Sequence, residues 1–348
     1  MTTQNVGISS DEEAKPPRTL PNISVQILGI PEDDATKLGQ AILAYAGELS
    51  RYMDLERLDG FTVSNTYAES LATLDRGYET SHKLEPSTEF ALGVAMTPSV
   101  KRDGVIKSHI LFDVNFIWGL QDPENEYFEE ALHVLAHECA HVEVTKTRDV
   151  AFPGTLLSKR YDNVLDGYKG QIISACWDEY AACRISAGFG KDSSVAYTTT
   201  FLVALKEARL KANDCIRAYR THGDHGQVLT EVAGYYGDLL KFASYLLGHM
   251  DGVGLSLSDL PEAASALEDH WFAPFFERLH DGLREIWSQY GAWTAFSTFD
   301  VIGAIVIDLL AAGGMTFFEA GEGKIGFEIP YTRDTMPEGF EWLGDLVS

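Results

Sequence analysis

Apolar residues recur at helical spacing along much of this 348-residue chain and gather into short runs elsewhere. In the N-terminal part, Leu38, Ile42, Tyr45, Leu49 and Tyr52 follow alternating steps of four and three residues. This spacing predicts a helix that packs one face on a core and is closed by the glycine at position 60. Helical spacing dominates again from residue 195 onward, over about 195–220, 226–250, 258–290 and 297–314.

Short apolar runs bounded by turn-forming residues indicate strands. In the N-terminal part they cover 23–28, 61–67, 89–96 and 105–116, with a turn signal at 101–104. Near the end, 315–319 and 324–329 flank a glycine-rich segment and predict a small hairpin. The order of elements predicts an α+β fold: a helix, a small, mostly antiparallel sheet and two metal-binding helices, then a mainly helical C-terminal half.

The stretch 127–144 predicts the first of those two helices, with Asp122 and Pro123 at its start. At about 100° per residue, its apolar residues share one stripe and two histidines lie opposite that stripe. The residues of the stripe are Phe128, Leu132, Leu135, Cys139 and Val142. One side of the helix can therefore pack on a core while the other side presents the histidines.

The two histidines, His137 and His141, are four residues apart and point the same way on a helix. Their imidazoles can bind one Zn²⁺ ion, and Glu138 beside them can take a proton from water at the metal. The alternative is a solvated polar face that happens to carry histidines. His133, one turn earlier, is expected to support a ligand or to lie at the surface.

Catalytic zinc normally has three protein ligands and one open position, so a third ligand must come from elsewhere. On a helix through 172–187, Glu179 shares a face with apolar residues, whereas Asp178 points about 100° away, toward solvent. A carboxylate on a buried stripe is costly unless it is paired or ligated. Glu179 is therefore the predicted third ligand; the alternative is an ordinary ion pair with an arginine or lysine.

His137, Glu138 and His141, followed by Glu179-Tyr-Ala-Ala182, resemble the glutamate-ligand zincin metallopeptidases, and most closely the ImmA/IrrE type. The likeness covers about residues 25–190. It implies a zinc-dependent peptidase in which Glu138 is the general base and the substrate is a peptide or protein. It also implies that 106–115 forms the edge strand beside the cleft. Many such families place an aspartate directly after E-x-x-A, where this chain has Cys183.

Composition narrows the possible partners and the compartment. The formal net charge of −25 argues against nucleic acid and against an anionic membrane surface as partners. The first residues show no secretory signal, and the four cysteines are expected to be reduced thiols in a cytoplasmic protein. The apolar run at 301–315 is short for a membrane span and contains Asp308, which predicts a buried core helix.

The predicted domains are a disordered tail at 1–20, a zincin-like metallopeptidase domain at 21–190 and a mainly helical region at 191–348. A polar loop at 147–170 would separate the two metal-binding helices and face the substrate. His222, His225, Tyr235 and Tyr236 are candidate donors to a reaction oxyanion, and none is assigned. The histidine pair could also hold a second metal, although a solvated loop is favoured.

Two other functions share these residues. A regulatory or interaction protein could keep the metal site for stability or sensing. A metal hydrolase that acts on substrates other than peptides could use the same ligands. The presence of Glu138 favours an enzyme, because a purely structural metal site needs no base at that position.

Overall fold

The computed structural model of the chain describes residues 15–81, 83–86, 93–321 and 324–343. The predicted tail at 1–20 and the predicted strand at 89–96 lie partly outside these ranges. Within them, a small sheet in the N-terminal part is followed by long helices and a short terminal hairpin. The mixed α+β fold with a mainly helical C-terminal half is confirmed.

The larger sheet is mixed, so the prediction of a mostly antiparallel sheet is wrong. Its strands are β1 (Ser24–Leu28), β2 (Leu58–Ser64), β3 (Ala95–Met96), β4 (Ser99–Arg102) and β5 (Val105–Asp113). Strands β1 and β2 are parallel, as are β2 and β5, whereas β3 and β4 each run antiparallel to β5. The helix between β1 and β2 carries the chain back across the sheet, and a crossover of this kind produces a parallel pair.

The predicted edge strand at 106–115 is also wrong, because β5 lies inside the sheet. It pairs with β2 on one side and with β3 and β4 on the other. The predicted turn at 101–104 is confirmed: Asp103 and Gly104 both have positive φ between β4 and β5, as a two-residue hairpin turn requires. That hairpin folds β4 back along β5 and so covers the edge of β5.

The helices account for most of the remaining chain. They are α1 (Glu32–Leu49), α2 (Tyr67–Thr73), α3 (Val114–Ile117), α4 (Phe128–Ala151), α5 (Val164–Ser186), α6 (Ser194–His222), α7 (His225–Val253), α8 (Pro261–Leu267), α9 (Ala273–Ser288) and α10 (Asp300–Ala312). The predicted terminal hairpin is confirmed as β6 (Thr316–Glu319) and β7 (Ile325–Glu328). Among the described residues, we find no helix with the length and apolar character that a membrane span requires.

Near the sheet, several helix and strand boundaries in the structure differ from the predicted ones. Helix α1 ends at Leu49, and Gly60 lies inside β2, where a Cβ atom would come within 3.0 Å of the Ser24 carbonyl oxygen. Strand β2 therefore begins earlier than predicted. Helix α4 begins at Phe128 rather than at Pro123, because residues 122–128 form two separate turns. The Asn125 N–H donates to the Asp122 carbonyl oxygen, and the Phe128 N–H donates to the Asn125 carbonyl oxygen.

Two longer predicted segments are divided differently. The loop predicted at 147–170 shortens to 152–163, because α4 continues to Ala151 and Asn163 caps the start of α5 by accepting from the Asp166 N–H at 2.9 Å. The helix predicted at 258–290 is interrupted between α8 and α9. Asp269 has φ of 54° there, which a continuous helix does not allow.

Buried residues form two main cores. The first lies between the sheet, α1 and α4, and the second is built by α5, α6, α7, α9 and α10. Helix α5 contributes to both, since Ala182 belongs to the first core and Ile172 and Cys176 to the second. The face of α5 that carries Glu179 thus lies where the two cores meet.

Candidate metal centre

Helix α4 presents its two histidines on the side away from its apolar stripe. Leu135, Cys139 and Val142 are fully buried in the first core, as the helix phase predicts. His137 and Glu138 are also mostly buried, with 8% and 7% of their surface exposed. His137 and Glu138 are thus enclosed within the protein and do not lie on the solvated polar face of the alternative interpretation.

Helix α5 brings Glu179 against the histidines of α4. The two helices are joined by a buried arginine, Arg148, which donates to Asp178 and to Ser174 on α5. Asp178 is therefore ion-paired and only about one-third exposed, rather than free in solvent as predicted. Its pairing directs it away from the histidines and holds the helix that carries Glu179.

Helix α7 closes the site from the other side because it approaches α5 very closely. At Gly248 an added Cβ atom would lie 2.2 Å from the Tyr180 carbonyl oxygen, and at Gly252 it would lie 2.4 Å from the Ala187 Cβ. Only glycine allows the two backbones to come this near. The close packing brings Tyr245 of α7 over the histidines.

The three predicted ligand atoms converge. His137 Nε2 lies 3.1 Å from His141 Nε2, and each of these nitrogens lies 3.4 Å from Glu179 Oε2. Ligands placed about 2.0–2.1 Å from a tetrahedral zinc are about 3.3–3.4 Å apart, so this triangle fits the ion. Elsewhere in the described ranges, no other group of three histidine, cysteine, aspartate or glutamate side chains converges in this way.

The charges of the cluster also suit a cation. Glu179 Oε2 is buried and has no hydrogen-bond donor. Burial opposes charge on both Glu179 and His141, but their mutual attraction outweighs it. The carboxylate raises the pKa of His141 to about 9, and the two imidazoles hold the pKa of Glu179 well below its usual range. A metal ion would supply the positive charge that this carboxylate requires once the imidazoles are neutral.

Comparisons with models of protein families, with curated proteins and with solved structures give no match to this chain. The resemblance to zincin metallopeptidases therefore stays a prediction that depends on the residues themselves.

Glu138 is held by a threonine from the sheet. The Thr97 hydroxyl lies 2.6 Å from Glu138 Oε2 and 3.2 Å from the Glu138 carbonyl oxygen. Thr97 belongs to the short connection between β3 and β4, so the sheet fixes the orientation of this carboxylate. Glu138 follows His137 directly on α4 and lines the same cavity.

That cavity has a volume of about 360 Å³ and opens beside His137 and Glu138. Its remaining walls are mainly apolar and come from β3, α4, α6 and α7: Gly93, Val94, Ala95, His133, Val134, Ala196, Tyr197, Thr200, Phe242 and Tyr245. Glu138 is the one acidic residue among these lining residues, and none of them is a lysine or arginine. The cavity thus offers a largely neutral, apolar surface next to the candidate metal ligands.

Tyr245 is a site residue that sequence reasoning missed. Its ring stacks on His137 with 5.8 Å between centroids and 16° between planes, and its hydroxyl hydrogen-bonds to Glu179. Burial and the neighbouring carboxylate raise its pKa well above the usual value, so the hydroxyl keeps its proton. The available signal was weak: a tyrosine on a largely apolar face of a helix that is distant in sequence from the two helices with the candidate ligands.

The outer edge of β3 also borders the cavity. The carbonyl oxygens of Val94 and Pro98 accept hydrogen bonds from backbone N–H groups of β5. Along an antiparallel strand, residues that bond to the neighbouring strand alternate with residues that do not. Ala95, between Val94 and Pro98, consequently turns its N–H and C=O toward the opposite edge. In the described part of the chain, no strand pairs with that edge. The open edge beside the site is therefore β3, instead of the predicted 106–115.

The side chain behind His137 is the thiol of Cys183. Cys183 Sγ lies 3.8 Å from His137 Nδ1, the ring nitrogen that faces away from the ligand cluster. His133 is buried and is not in the cluster; it contacts the Phe189 carbonyl oxygen and the Tyr197 hydroxyl. The four cysteines are free thiols, and they form no second metal site among the residues described.

The four candidate oxyanion donors, none of which was assigned from the sequence, lie outside the cavity beside Glu138. His222 Nδ1 accepts from the Asp224 N–H, and His225 contacts the Tyr219 hydroxyl, so both belong to the junction of α6 and α7. None of the four residues lines the cavity beside Glu138. His222 and His225 are exposed at the end of α6 and the start of α7, and within the described ranges no third ligand converges on them.

Proposed function

We propose that this chain is a zinc-dependent peptidase whose single zinc ion is held by His137, His141 and Glu179. The observation that carries this proposal is the triangle of ligand atoms with Glu138 fixed beside it. When bound, zinc would supply a Lewis acid that polarises a carbonyl group and lowers the pKa of water at the site. The protein must then position a base, an oxyanion donor and the substrate.

Glu138 is the proposed general base. One of its carboxylate oxygens is held by the Thr97 hydroxyl, which leaves the other to take the proton of the attacking water. The same oxygen can later deliver that proton to the departing amine. Because its orientation is fixed before reaction, the carboxylate need not reorganise when the substrate arrives.

Tyr245 is the proposed donor to the oxygen that gains negative charge during the reaction. It is neutral, it lies on the ligand cluster, and its hydroxyl can turn from Glu179 to a substrate oxygen. A single donor of this kind contributes about 2.7–4 kcal/mol to transition-state stabilisation. The stacking of its ring on His137 keeps the hydroxyl near the reacting carbonyl.

The proposed substrate is an extended internal segment of a polypeptide. The N–H and C=O of Ala95 on the open edge of β3 can pair with a substrate backbone. The apolar walls around Val134 and Phe242 suit an uncharged side chain next to the cleaved bond. A chain terminus would bring a charged group into a cavity whose lining residues include no lysine or arginine and, besides Glu138, no other acid.

The test compares zinc-loaded wild-type protein with Glu138→Gln and with Glu129→Gln, an exposed control on the same helix. Each is incubated with a peptide library made by digesting a proteome, and new termini are identified by mass spectrometry. We expect wild type and Glu129→Gln to cut with equal efficiency. We expect Glu138→Gln to keep one zinc per chain and lose about 10²–10⁴-fold in rate.

Equal cleavage by Glu138→Gln would contradict the proposed base. A zinc-loaded wild type that leaves all peptides intact would contradict peptidase activity and favour a regulatory protein with a sensory or structural metal.

A further inference from the structure

A row of buried and half-buried polar side chains runs away from the proposed zinc site behind His137. It consists of Cys183 on α5, Tyr197 on α6 and His133 on α4, and it ends at the carbonyl oxygen of Phe189. The proposed chemistry does not use these groups. The role of these groups follows from which of their atoms must donate hydrogen bonds and which must accept them.

The direction of the row is set at its far end. The Phe189 carbonyl oxygen can only accept, so the His133 Nδ1 at 3.0 Å from it must carry a proton. His133 is neutral because burial and the nearby His137 lower its pKa to about 4. Its Nε2 is consequently an acceptor, and the Tyr197 hydroxyl at 2.9 Å donates to it.

The same reasoning continues to the zinc ligand. The single hydroxyl hydrogen of Tyr197 is donated in the hydrogen bond to His133. In its hydrogen bond with Cys183, Tyr197 must therefore accept from the thiol. A thiol and a phenol ordinarily keep their protons at neutral pH. The Cys183 sulfur then accepts from His137 Nδ1 at 3.8 Å. With its proton on Nδ1, His137 has a bare Nε2, which is the atom in the ligand triangle.

We propose that Cys183, Tyr197 and His133 are positioning residues that together hold His137 in the tautomer that binds zinc. Metal-binding histidines almost always donate their other ring N–H, most often to a carboxylate, a backbone carbonyl or water. Here a relay of neutral side chains carries that hydrogen bond to a backbone carbonyl. This inference rests on the proposed zinc site but does not depend on which bond the enzyme cuts.

The relay explains how a thiol can occupy this position. Sulfur is a weak acceptor and could equally donate its proton to His137, which would leave Nε2 protonated and unable to bind metal. Tyr197 removes that ambiguity by accepting a hydrogen bond from the thiol. His133 in turn ensures that Tyr197 accepts, because the tyrosine hydroxyl already donates its hydrogen bond to His133 Nε2.

The test measures the dissociation constant for Zn²⁺ by competition with a chelator, using the full-length protein. Tyr197→Phe and Cys183→Ala each interrupt the relay and should weaken zinc binding about 10–100-fold. Cys183→Ser keeps a group that both donates and accepts, and it should bind zinc within about threefold of wild type. If Cys183→Ala does not fold, Tyr197→Phe and Cys183→Ser still decide the outcome.

Two further readouts separate the relay from simple packing. In the zinc-loaded wild type, the His137 Nδ1–H should give a side-chain NMR signal that exchanges slowly with water, and Tyr197→Phe should make it exchange faster. The double variant His133→Leu/Cys183→Ala should bind zinc about as tightly as the weaker-binding of the two single variants. Either substitution alone already interrupts the relay, so the second should have no further effect. Losses that simply add would indicate independent packing effects.

The inference is overturned if Tyr197→Phe and Cys183→Ala both bind zinc as tightly as wild type. In that case the zinc site and the proposed function would still stand. If wild type itself binds no zinc, the metal centre and the proposed function fail together with the relay.

Discussion

Asp251 on α7 should be a main source of stability for the helices around the metal centre. Only 4% of its side chain is exposed, and its carboxylate accepts from the Tyr180 hydroxyl at 2.6 Å and from Arg184 at 3.1 Å, both on α5. From α9, His280 donates at 3.1 Å and Arg284 makes bonds as short as 2.6 Å. One carboxylate thus joins three helices, and two of its partners, Tyr180 and Arg184, follow Glu179 on the same helix.

The Asp251→Asn variant removes the charge while keeping the shape. It also turns an amide NH₂ toward groups that donate, which leaves at least one of them without an acceptor. Removing one member of a buried charge pair costs about 3–5 kcal/mol. Arg284 is 51% exposed and can recover some hydration, so we expect a loss of about 2–4 kcal/mol in the free energy of unfolding.

The assay is urea unfolding at neutral pH, and Asp308→Asn is the matched control. Asp308 also pairs with an arginine across two helices, but it is 54% exposed and its partner Arg278 is 46% exposed. Its replacement should change the free energy of unfolding by about 0–1 kcal/mol. Equal effects of the two substitutions would refute the reasoning that burial makes the Asp251 cluster strong.

The pH dependence gives a second check on Asp251. Burial would raise its pKa, but the bonds from His280, Arg284 and Tyr180 hold that pKa well below its usual range. A depressed folded pKa adds stability above the unfolded value of about 3.9, and that stability disappears as the pH falls further. The difference between wild type and Asp251→Asn should therefore be constant above about pH 5 and shrink below about pH 4. A difference that stays unchanged down to pH 3 would contradict this account.

Three further outcomes follow from the site. Tyr245→Phe should keep zinc and lose about 10²–10³-fold in kcat; a loss of zinc alone would show that the hydroxyl only orients Glu179. Glu179→Ala should lose the bound metal, whereas Asp178→Ala should keep it, and metal analysis of both purified proteins measures this. Loss of metal from Asp178→Ala but not from Glu179→Ala would contradict the assignment of Glu179 as a ligand. Gly248→Ala should push α7 away from α5, lower the free energy of unfolding by about 1–3 kcal/mol and reduce peptidase activity. Full activity in this variant would mean that the close approach of the two helices is not needed.

The faces of α4 and α5 could be predicted because helix periodicity is a local property of the sequence. The apolar stripe of α4 packs on the first core, and Glu179 shares a mostly buried face with Cys176 and Cys183. Burying a carboxylate on such a face is unfavourable unless a cation or a hydrogen-bond donor lies beside it, so the sequence alone indicates that Glu179 has such a partner. Within the described contacts, its partners are the two imidazoles and Tyr245, rather than the arginine or lysine of the alternative interpretation.

The sheet order and the far wall of the site could not be predicted in this way, because they depend on contacts between distant segments. The turn signal at 101–104 is local, but nothing local shows that β3 also pairs with β5 and leaves an open edge beside the site. Tyr245 reaches His137 only because α7 packs closely on α5, and Tyr197 reaches Cys183 only through the packing of α6. The cysteine after E-x-x-A was visible in the sequence, but its role required the groups behind it.

The most direct test of the metal centre is a crystal structure of the zinc-loaded protein with diffraction data collected on both sides of the zinc absorption edge. We predict one anomalous peak per chain, about 2.0–2.2 Å from His137 Nε2, His141 Nε2 and a Glu179 carboxylate oxygen. A peak bound elsewhere, or no peak in protein that was fully loaded with zinc, would contradict the central claim.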